Sequence, residues 1–464
     1  MRKSLLLGLA AGLFLLACKK DTYIAGSNAL LSFSSDSVYF DTLFTSTGSI
    51  TQQVRVYNPN DQKLLITGIS LVGGKNSPFL LNINGSPGPD AGNLTLDAND
   101  SLYIFISVYI NPDAKPDAFI MQDSIRIDYN GNERFIKLSA WGQNAHFLSN
   151  QVIRGNISWN NDLPYVISGS LRVDSNAVLS IGPGCRIYFH GNAPLLIDGT
   201  LLVAGQAEDS LRVYFNGDRL DEPYASYPGS WPGIYFSPAS INNVLQYAVL
   251  RNGNQSLVAE GPSLNASPKL LLNQCIIDNS LDAGIYGIQS SIEAVNCLIS
   301  NCGKNIVIAA GGSYHFIQCT AASFSTPVLL HQYPVLTVSD AGQPGSQLPT
   351  GDLQAVFSNC ILWGDNGIPD EARLSREGSG SFQVLFDHVI LKQQNYPQNS
   401  DSSTLLLNTD PLFMSTDDRK GLYDFHLQAG SPGLARGADE GIGVDLDGFT
   451  RSAGEQDLGC YERQ

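Results

Sequence analysis

The sequence is short of charge, and above all of positive charge. Charged residues make up 15% of the 464 residues, against about 25% in an average soluble domain. Lysine and arginine number 27 against 43 aspartates and glutamates, for a formal net charge of −16 and no basic cluster. A chain this acidic repels phosphate backbones, so nucleic acid is excluded as an expected partner.

Several motifs of enzyme chemistry are also missing. The sequence has no Gly-rich phosphate loop, no G-x-S-x-G motif and no zinc-binding helix signature. Beyond the N-terminus, no stretch approaches the roughly 18 apolar residues of a membrane-spanning helix. What is present is 43% hydrophobic residues with 45 Gly and 23 Pro, which is typical of a folded, turn-rich β protein.

The N-terminus has the features of an export signal. Arg2 and Lys3 precede an apolar run over residues 5–17, which is too short for a membrane span and fits a secretory signal. The LLAC sequence that ends at Cys18 resembles a bacterial lipobox, so residues 1–17 are predicted to be a signal peptide and Cys18 the lipidated residue. The alternative is an ordinary signal peptide followed by an accidental cysteine.

Residues 18–28 are predicted to be the lipidated cysteine and a linker. The CKKD sequence that starts at Cys18 resembles the N-terminus of outer-membrane lipoproteins of the Bacteroidota. This resemblance implies attachment to the outer membrane, on its periplasmic or extracellular face. Membrane lipid is then a partner through the acylated cysteine.

Residues 29–145 are predicted to form a β-sandwich. Short alternating segments are separated there by turn formers such as the NPND sequence at Asn58. Six or seven strands in about 115 residues are typical of a sandwich. The V-x-V-x-N sequence at Val54 and the L-x-A-x-G sequence at Leu138 resemble Ig-like domains of the spindle and sperm-protein type. The resemblance implies a spacer or a docking module, and we favour the spacer.

A repeat dominates residues 146–464. Pairs of the form apolar-x-apolar recur there. The distance from the first residue of one pair to that of the third pair after it stays similar: Leu171 to Leu195 (24 residues), Leu179 to Leu201 (22) and Ile187 to Val213 (26). Three short strands per coil of this length are the period of a right-handed parallel β-helix. The predicted fold is therefore all-β, with an Ig-like sandwich followed by this solenoid.

Cysteines mark the same repeat farther along the chain. Cys275, Cys297 and Cys319 lie 22 residues apart, and Cys360 follows 41 residues later. An amide residue precedes each of them, and a second amide column lies four residues after the cysteine column, at Asn252, Asn279 and Asn301. Stacked amides can hydrogen-bond from coil to coil. The sequence does not tell which of the two columns marks the bend.

The cysteine column has two interpretations. One is a stack of small, buried thiols. The other is a metal site, but Cys297 and Cys302 are the only close pair, with no Cys-x-x-Cys motif and no nearby pair of histidines. We favour the buried thiols. Cys302 is also placed to form one disulfide with a neighbouring coil.

Two sets of motifs resemble known surface proteins. The WPGIYF sequence at Trp231 and the Asn-Cys-x-Ile repeats resemble the parallel β-helix of the pectate-lyase-like superfamily. The DFHLQAGSP sequence at Asp424 and the DLGCYE sequence at Asp457 are similar to the C-terminal segment of bacterial surface proteins of the choice-of-anchor type. A closing segment is therefore expected from about residue 408. Enzymes of the superfamily cut acidic or neutral polysaccharides.

Arg251 and Asp278 are the candidates for chemistry on the solenoid that share a column, whereas Lys304, Glu293 and His315 are scattered outward residues without one. Both lie three residues after the cysteine column, on consecutive coils. Such a pair can combine a catalytic base with a metal ligand, or it can be an ordinary cross-strand ion pair. We favour the ion pair, so no catalytic residue is assigned.

Asp445 and Asp447 are a candidate Ca²⁺ site. They open a D-x-D-G sequence, but Gln456 stands where the closing bidentate glutamate of a calcium loop would be. We favour the alternative that these residues form the turns that finish the solenoid.

Residues 218–231 form an aromatic and acidic loop. The flat rings of Tyr224, Tyr227 and Trp231 match the apolar faces of sugar rings and are candidate ligand-binding residues. The alternative is that the aromatic residues pack the loop back onto the solenoid.

Taken together, these observations favour a cell-envelope lipoprotein that displays a β-helix for binding, above all of glycan, without catalysis. One alternative is a polysaccharide lyase or glycoside hydrolase that acts on the β-helix surface, and it requires a third charged residue, such as a carboxylate, beside Arg251 and Asp278. A second alternative is an adhesin or a structural surface protein. No cofactor is expected apart from Ca²⁺ in the calcium-loop or lyase alternatives.

Overall fold

The computed structural model describes residues 22–44, 49–109, 119–342, 348–365, 367–398, 400–417 and 422–464. The predicted signal peptide and Cys18 lie outside the described residues, so lipidation stays a prediction. The chain divides into two compact units, with the boundary between Asn144 and Ala145. No helix among the described residues is long and apolar enough to cross a membrane.

Within its described residues, the first unit has ten strands and one 3₁₀ turn, Gly74–Asn76. The strands are β1 (Ser32–Phe33), β2 (Ser37–Phe44), β3 (Gln52–Tyr57), β4 (Leu64–Leu71), β5 (Phe79–Ile83), β6 (Ser86–Pro87), β7 (Asp90–Leu96), β8 (Ser101–Val108), β9 (Phe119–Tyr129) and β10 (Asn132–Gln143). They form two sheets, in the orders β1-β3-β8-β5-β6 and β2-β10-β9-β4-β7.

Both sheets of the first unit contribute to one hydrophobic core. Val54 and Ile104 come from one sheet, Ile127 and Leu138 from the other, and all four are buried in the same cluster. Buried and more exposed residues alternate along β3 and β8, as they do when one face of a sheet is covered. The predicted Ig-like β-sandwich is confirmed.

The described residues of the second unit form a solenoid of 24 strands and a separate two-stranded hairpin, with two 3₁₀ turns at Asp209–Leu211 and Tyr224–Ser226. The strands are β11 (His146–Ile153), β12 (Asn156–Trp159), β13 (Tyr165–Val173), β14 (Val178–Ile181), β15 (Arg186–Phe189), β16 (Leu195–Ile197), β17 (Thr200–Ala204), β18 (Val213–Gly217), β19 (Ile234–Phe236), β20 (Asn243–Gln246), β21 (Ala248–Arg251), β22 (Gln255–Glu260), β23 (Leu270–Asn273), β24 (Ile276–Asp278), β25 (Ala283–Val295), β26 (Leu298–Ser300), β27 (Lys304–Ile317), β28 (Thr320–Ser323), β29 (Leu336–Ser339), β30 (Leu353–Ser358), β31 (Ile361–Gly364), β32 (Ala372–Ser375), β33 (Phe382–Leu391) and β34 (Asp401–Leu407).

The solenoid strands pair in parallel with strands of neighbouring coils. Leu171 lies opposite Leu195, and Leu179 lies opposite Leu201, as the sequence spacing predicts. The inward residues of all coils form one continuous core. The β-helix is confirmed.

One predicted pairing is wrong by two residues. Ile187 pairs with Phe215, not with Val213. Val213 instead lies opposite Ala248 in the next coil, at the bend. Because side chains alternate with a period of two, a shift of two residues keeps the same side chains facing the core. The apolar alternation therefore cannot distinguish these two registers.

Both amide columns mark bends. The residues directly before the cysteine column have positive φ angles: Tyr247, Gln274, Asn296, Gln318, Asn359 and His388. The amides four positions after the column do so as well: Asn252, Asn279 and Asn301. Left-handed backbone is unfavourable for most L-residues, and Asn tolerates it best after glycine. The amides therefore recur because the chain turns sharply at these two positions of the repeat.

The cysteine column is a stack of buried thiols. All seven described cysteines are free and buried. Cys185 belongs to the same column. Arg186, the next residue, lies opposite Tyr214, which in turn lies opposite Val249, the residue after Ala248 of the column. The Sγ of Cys360 donates a hydrogen bond to the main-chain oxygen of Phe316 on the preceding coil, at 3.3 Å. A disulfide of Cys302 with a neighbouring coil is not formed among the described residues.

The C-terminal segment, residues 408–464, packs along the side of the solenoid. Its hairpin of β35 (Phe413–Asp417) and β36 (Leu422–Leu427) is antiparallel. Phe425, Leu446 and Cys460 share a hydrophobic cluster with the outward residues Leu298 and Ile361 of the solenoid. The closing segment therefore covers the flank of several coils.

The first amide column holds the C-terminal segment in place. Asn296 Nδ2 donates to the oxygen of Val444 at 2.7 Å. Asn359 donates to the oxygen of Ala438 at 2.7 Å and accepts from its nitrogen at 2.9 Å. These amides of the first column therefore bind the C-terminal segment. The coil-to-coil hydrogen bonds expected for an amide column are made by the second column.

Candidate functional site

A large cleft lies between the solenoid and its C-terminal segment. It has a volume of about 680 Å³. One wall is the outer face of β21, β24 and β26, and the opposite wall includes Tyr423, Asp424 and His426 of β36. A smaller cavity of about 340 Å³ adjoins it, and Arg251 and Ile276 line both cavities. We call the two together the flank groove.

Arg251 and Asp278 both line the flank groove. They are opposite each other on adjacent strands, with Ser300 next in the column. Arg251 Nε lies 3.9 Å from Asp278 Oδ2, and about half of the arginine side chain is exposed. A contact this long between partly exposed groups is weak. The guanidinium therefore retains donors for a ligand.

Asp278 is held as a polar acceptor at the base of the groove. Ser300 Oγ donates to its Oδ1 at 2.7 Å. Burial raises the pKa of the Asp278 carboxyl, and the hydrogen bond from Ser300 and the charge of Arg251 only partly oppose this.

The second amide column forms a ladder along the groove. Asn279 Nδ2 donates to Asn252 Oδ1 at 2.7 Å, and Asn252 Nδ2 donates to Asn216 Oδ1 at 3.0 Å. The same amide groups donate to the main-chain oxygens of Ser226 and Ala225 at 2.8 and 2.9 Å. The ladder therefore fixes residues 218–231 as a side wall of the groove.

The aromatic residues of this side wall have two different environments. Tyr224 and Tyr227 are partly exposed and contact each other edge-on, with ring centroids 5.4 Å apart. Trp231 is fully buried: its ring stacks on Phe189 at 4.5 Å, and its Nε1 donates to the oxygen of Arg251 at 2.8 Å. Trp231 is therefore a core residue, and only the two tyrosines remain candidates for stacking on a sugar.

The sequence did not single out His426, which lies on the opposite wall. Its Nδ1 lies 2.6 Å from Asp424 Oδ1, and its Nε2 lies 3.2 Å from Asp447 Oδ2. The ring stacks on Tyr461, with centroids 3.8 Å apart. Asp447 is also bound by Arg212 of the solenoid, at 3.2 Å. The only signal was the DFHL sequence, which pointed to the fold of the segment and not to a site.

The flanking carboxylates change the ionisation of His426. Burial by itself lowers the pKa of the imidazole, but the hydrogen bonds with Asp447 and Asp424 outweigh it, and the pKa is raised. The charged ring ties β36 to the turn at residues 445–449.

We expect this tie to depend on pH. Because the pKa is raised in the folded protein, its stabilisation is fully present below the ordinary histidine pKa and is lost as the pH rises through the raised value. The measurement is the melting temperature of the protein and of His426→Gln between about pH 5 and 9. The difference between them should shrink with rising pH, and a constant difference would contradict the prediction.

Asp445 and Asp447 are both occupied by protein donors. Asp445 is buried, and its Oδ1 accepts from the nitrogens of Asp447 and Phe449 at 3.0 and 2.8 Å. Its Oδ2 accepts from the nitrogen of Glu462 at 2.9 Å. Among the described residues, no group of three or more His, Cys, Asp or Glu side chains is placed to hold a metal ion. These contacts favour the turn-forming alternative over a Ca²⁺ loop.

Comparisons with known proteins add little. No family model matches the chain, and no curated protein matches its sequence. Similar solved structures are a family 123 glycoside hydrolase from Clostridium perfringens (12% identity, 26% of this chain, 30% of that chain, TM-score 0.20), a human ASH/PapD-like domain (10%, 27%, 92%, 0.18) and the E. coli chaperone DraB (15%, 24%, 54%, 0.17). The chain spans less than two thirds of the hydrolase and of the chaperone. At these TM-scores the likenesses carry no argument about function.

Proposed function

We propose that the flank groove binds glycan. The observation that supports this is the convergence of Arg251, Asp278 and the Asn252–Asn279 ladder in one cleft. Guanidinium and carboxylate groups make directional hydrogen bonds with vicinal hydroxyls, and fixed polar groups in a cleft are typical of ligand sites. The amide protons of the ladder are already donated within the protein, so the ladder holds the wall of the cleft in place. Tyr224 and Tyr227 do not line the groove themselves but flank the lining residues Ala225 and Ser226 in the chain, and they add flat rings for stacking.

The proposal includes a location. Cys18 carries lipid and anchors the protein to the outer membrane, residues 18–28 are a linker, and the Ig-like sandwich is a spacer that holds the solenoid away from the membrane. The support is the lipobox at Cys18, the resemblance of the CKKD sequence there to outer-membrane lipoproteins of the Bacteroidota, and the resemblance of the C-terminal segment to bacterial surface proteins of the choice-of-anchor type.

The lipid anchor is tested by Cys18→Ala. Expressed in a bacterial host with labelled palmitate, the unaltered protein should carry label and sediment with membranes, and the variant should do neither, because the thioether and its acyl chains are lost. Cys185→Ala, which removes a buried thiol of the solenoid, is the matched control. Label retained in Cys18→Ala would refute lipidation at this residue.

Glycan binding is tested on the full-length protein in detergent. The protein is immobilised and exposed to neutral polysaccharides (xyloglucan, galactomannan, laminarin) and acidic ones (polygalacturonate, alginate), with and without Ca²⁺. Retention of at least one polymer is expected. If none is retained, the adhesin or structural alternative takes the place of glycan binding.

Arg251→Ala should weaken that retention at least about tenfold, because hydrogen bonds to a charged donor are lost inside the groove. The melting temperature should stay nearly unchanged, since the arginine is half exposed. Arg172→Ala, which removes a half-exposed arginine paired with Asp198 outside the groove, is the matched control. Equal retention by Arg251→Ala and the unaltered protein would contradict a site in the flank groove.

A polysaccharide lyase or glycoside hydrolase is the second candidate function. It is favoured by Asp424 and His426, which line the same cleft as Asp278 and so supply the further charged groups that catalysis requires. New chain ends in the same polysaccharide panel would establish it. Their loss in Asp278→Asn, with retention of the polymer preserved, would place Asp278 in the reaction.

A further inference from the structure

A second concave surface lies at another bend of the solenoid, away from the flank groove. Its volume is about 550 Å³, and serine, glutamine and glycine dominate its lining. Asp352 is its single carboxylate, and none of the described lining residues is basic. We call this surface the amide groove.

The amide groove carries a polar ladder in strict register. Ser291 lies opposite Ser313, Ser313 opposite Gln354, and Gln354 opposite Gln383, on the four successive strands β25, β27, β30 and β33. Neighbouring strands lie about 4.8 Å apart. The four side chains therefore present hydroxyl and amide groups at regular steps over roughly 14 Å along the solenoid axis.

The floor of the amide groove is shaped by main chain. A Cβ on Gly312 would lie 2.3 Å from the oxygen of Ser290, and one on Gly351 would lie 2.4 Å from the oxygen of Ala310. Side chains are thus excluded at both positions. Ser290, which precedes Ser291 on β25, is 1% exposed and its Oγ is buried, because consecutive side chains of a strand point to opposite faces. The ladder side chains, and not this hydroxyl, are therefore the groups that a ligand in the groove can reach.

We infer that the amide groove is a second binding site, for a neutral polysaccharide that lies along the solenoid axis. Hydroxyl and amide groups both donate and accept, which matches the hydroxyl groups of sugars. The rung spacing is close to the length of one sugar unit in an extended chain, so successive units meet successive rungs. Asp352 accepts hydrogen bonds from hydroxyl groups and repels an anionic ligand. The flank groove differs in this respect, because it contains the positively charged Arg251.

The test compares variants of the two grooves by calorimetry with xyloglucan, galactomannan, laminarin and polygalacturonate. Gln354→Ala combined with Gln383→Ala should lower the affinity for at least one neutral polymer about tenfold or more. Both residues are exposed, so the fold is preserved. Arg251→Ala should leave this component of binding unchanged, which keeps the two sites distinguishable. Gln394→Ala, an exposed glutamine outside both grooves, is the matched control.

Chain length gives a second readout. With oligosaccharides cut from the bound neutral polymer, the affinity should rise up to about four sugar units and then level off, since the ladder has four rungs. The inference is overturned if the double variant binds neutral polymers as tightly as the unaltered protein, if Gln394→Ala loses the same affinity, or if no neutral polymer binds at all.

Discussion

Arg451→Ala is expected to release the C-terminal segment from the flank of the solenoid. The guanidinium is fully buried: it lies 3.1 Å from Glu462 Oε2 and donates to Asn296 Oδ1 at 2.6 Å and to the oxygen of Gly459 at 2.9 Å. Truncation leaves Glu462 buried without its counter-ion. Breaking a buried pair on one side typically costs about 3–5 kcal/mol.

The measurement is the unfolding free energy, together with limited proteolysis of the segment after residue 408. Arg451→Ala should unfold earlier and be cleaved there, while Arg436→Ala, an exposed arginine of the same segment, should behave as the unaltered protein. A double-mutant cycle of Arg451→Met with Glu462→Gln should show strong coupling. An intact, protease-resistant segment in Arg451→Ala would show that the apolar contacts suffice to hold it.

Trp231→Ala is expected to destabilise the middle coils by about 3–5 kcal/mol, the usual cost of removing a large buried aromatic side chain. The ring is fully buried against Phe189, and its Nε1 donates to the oxygen of Arg251. Its loss leaves a cavity beneath the aromatic loop and an unpaired carbonyl beside the flank groove.

Denaturant unfolding of Trp231→Ala, Trp231→Phe and Tyr227→Ala separates packing from ligand binding. Trp231→Phe should lose less than Trp231→Ala, and Tyr227→Ala should unfold like the unaltered protein while binding glycan more weakly. If Trp231→Ala kept full stability, the tryptophan would not act as a core residue.

Much of the solenoid could be predicted, because its signal is periodic. The spacing of Leu171 and Leu195 and of the cysteines gave the correct coil length, and Arg251 and Asp278 were placed on adjacent coils by counting from the cysteine column. The Ile187 register was missed, since a shift of two residues leaves an alternating pattern unchanged.

The groove wall made by the C-terminal segment could not be predicted. His426 and Arg251 are far apart in sequence, and the segment that carries His426 has no repeat of its own to fix its position. Its placement depends on contacts such as that of Asn359 with Ala438, which sequence alone presents only as a polar residue at a turn. The amide groove was missed for a related reason: Ser313 and Gln354 are ordinary outward residues until the register aligns them.

The stacked cysteines make the redox behaviour of the chain depend on whether it is folded. Burial raises the pKa of Cys185 to about 11 and that of Cys302 to about 12, so at these two residues the reactive thiolate is scarce at neutral pH. Once the coils open, the thiols regain ordinary acidity and can cross-link in non-native pairs. In an oxidising medium these cross-links prevent an unfolded molecule from refolding. The half-life of the folded protein there is therefore governed by its unfolding rate.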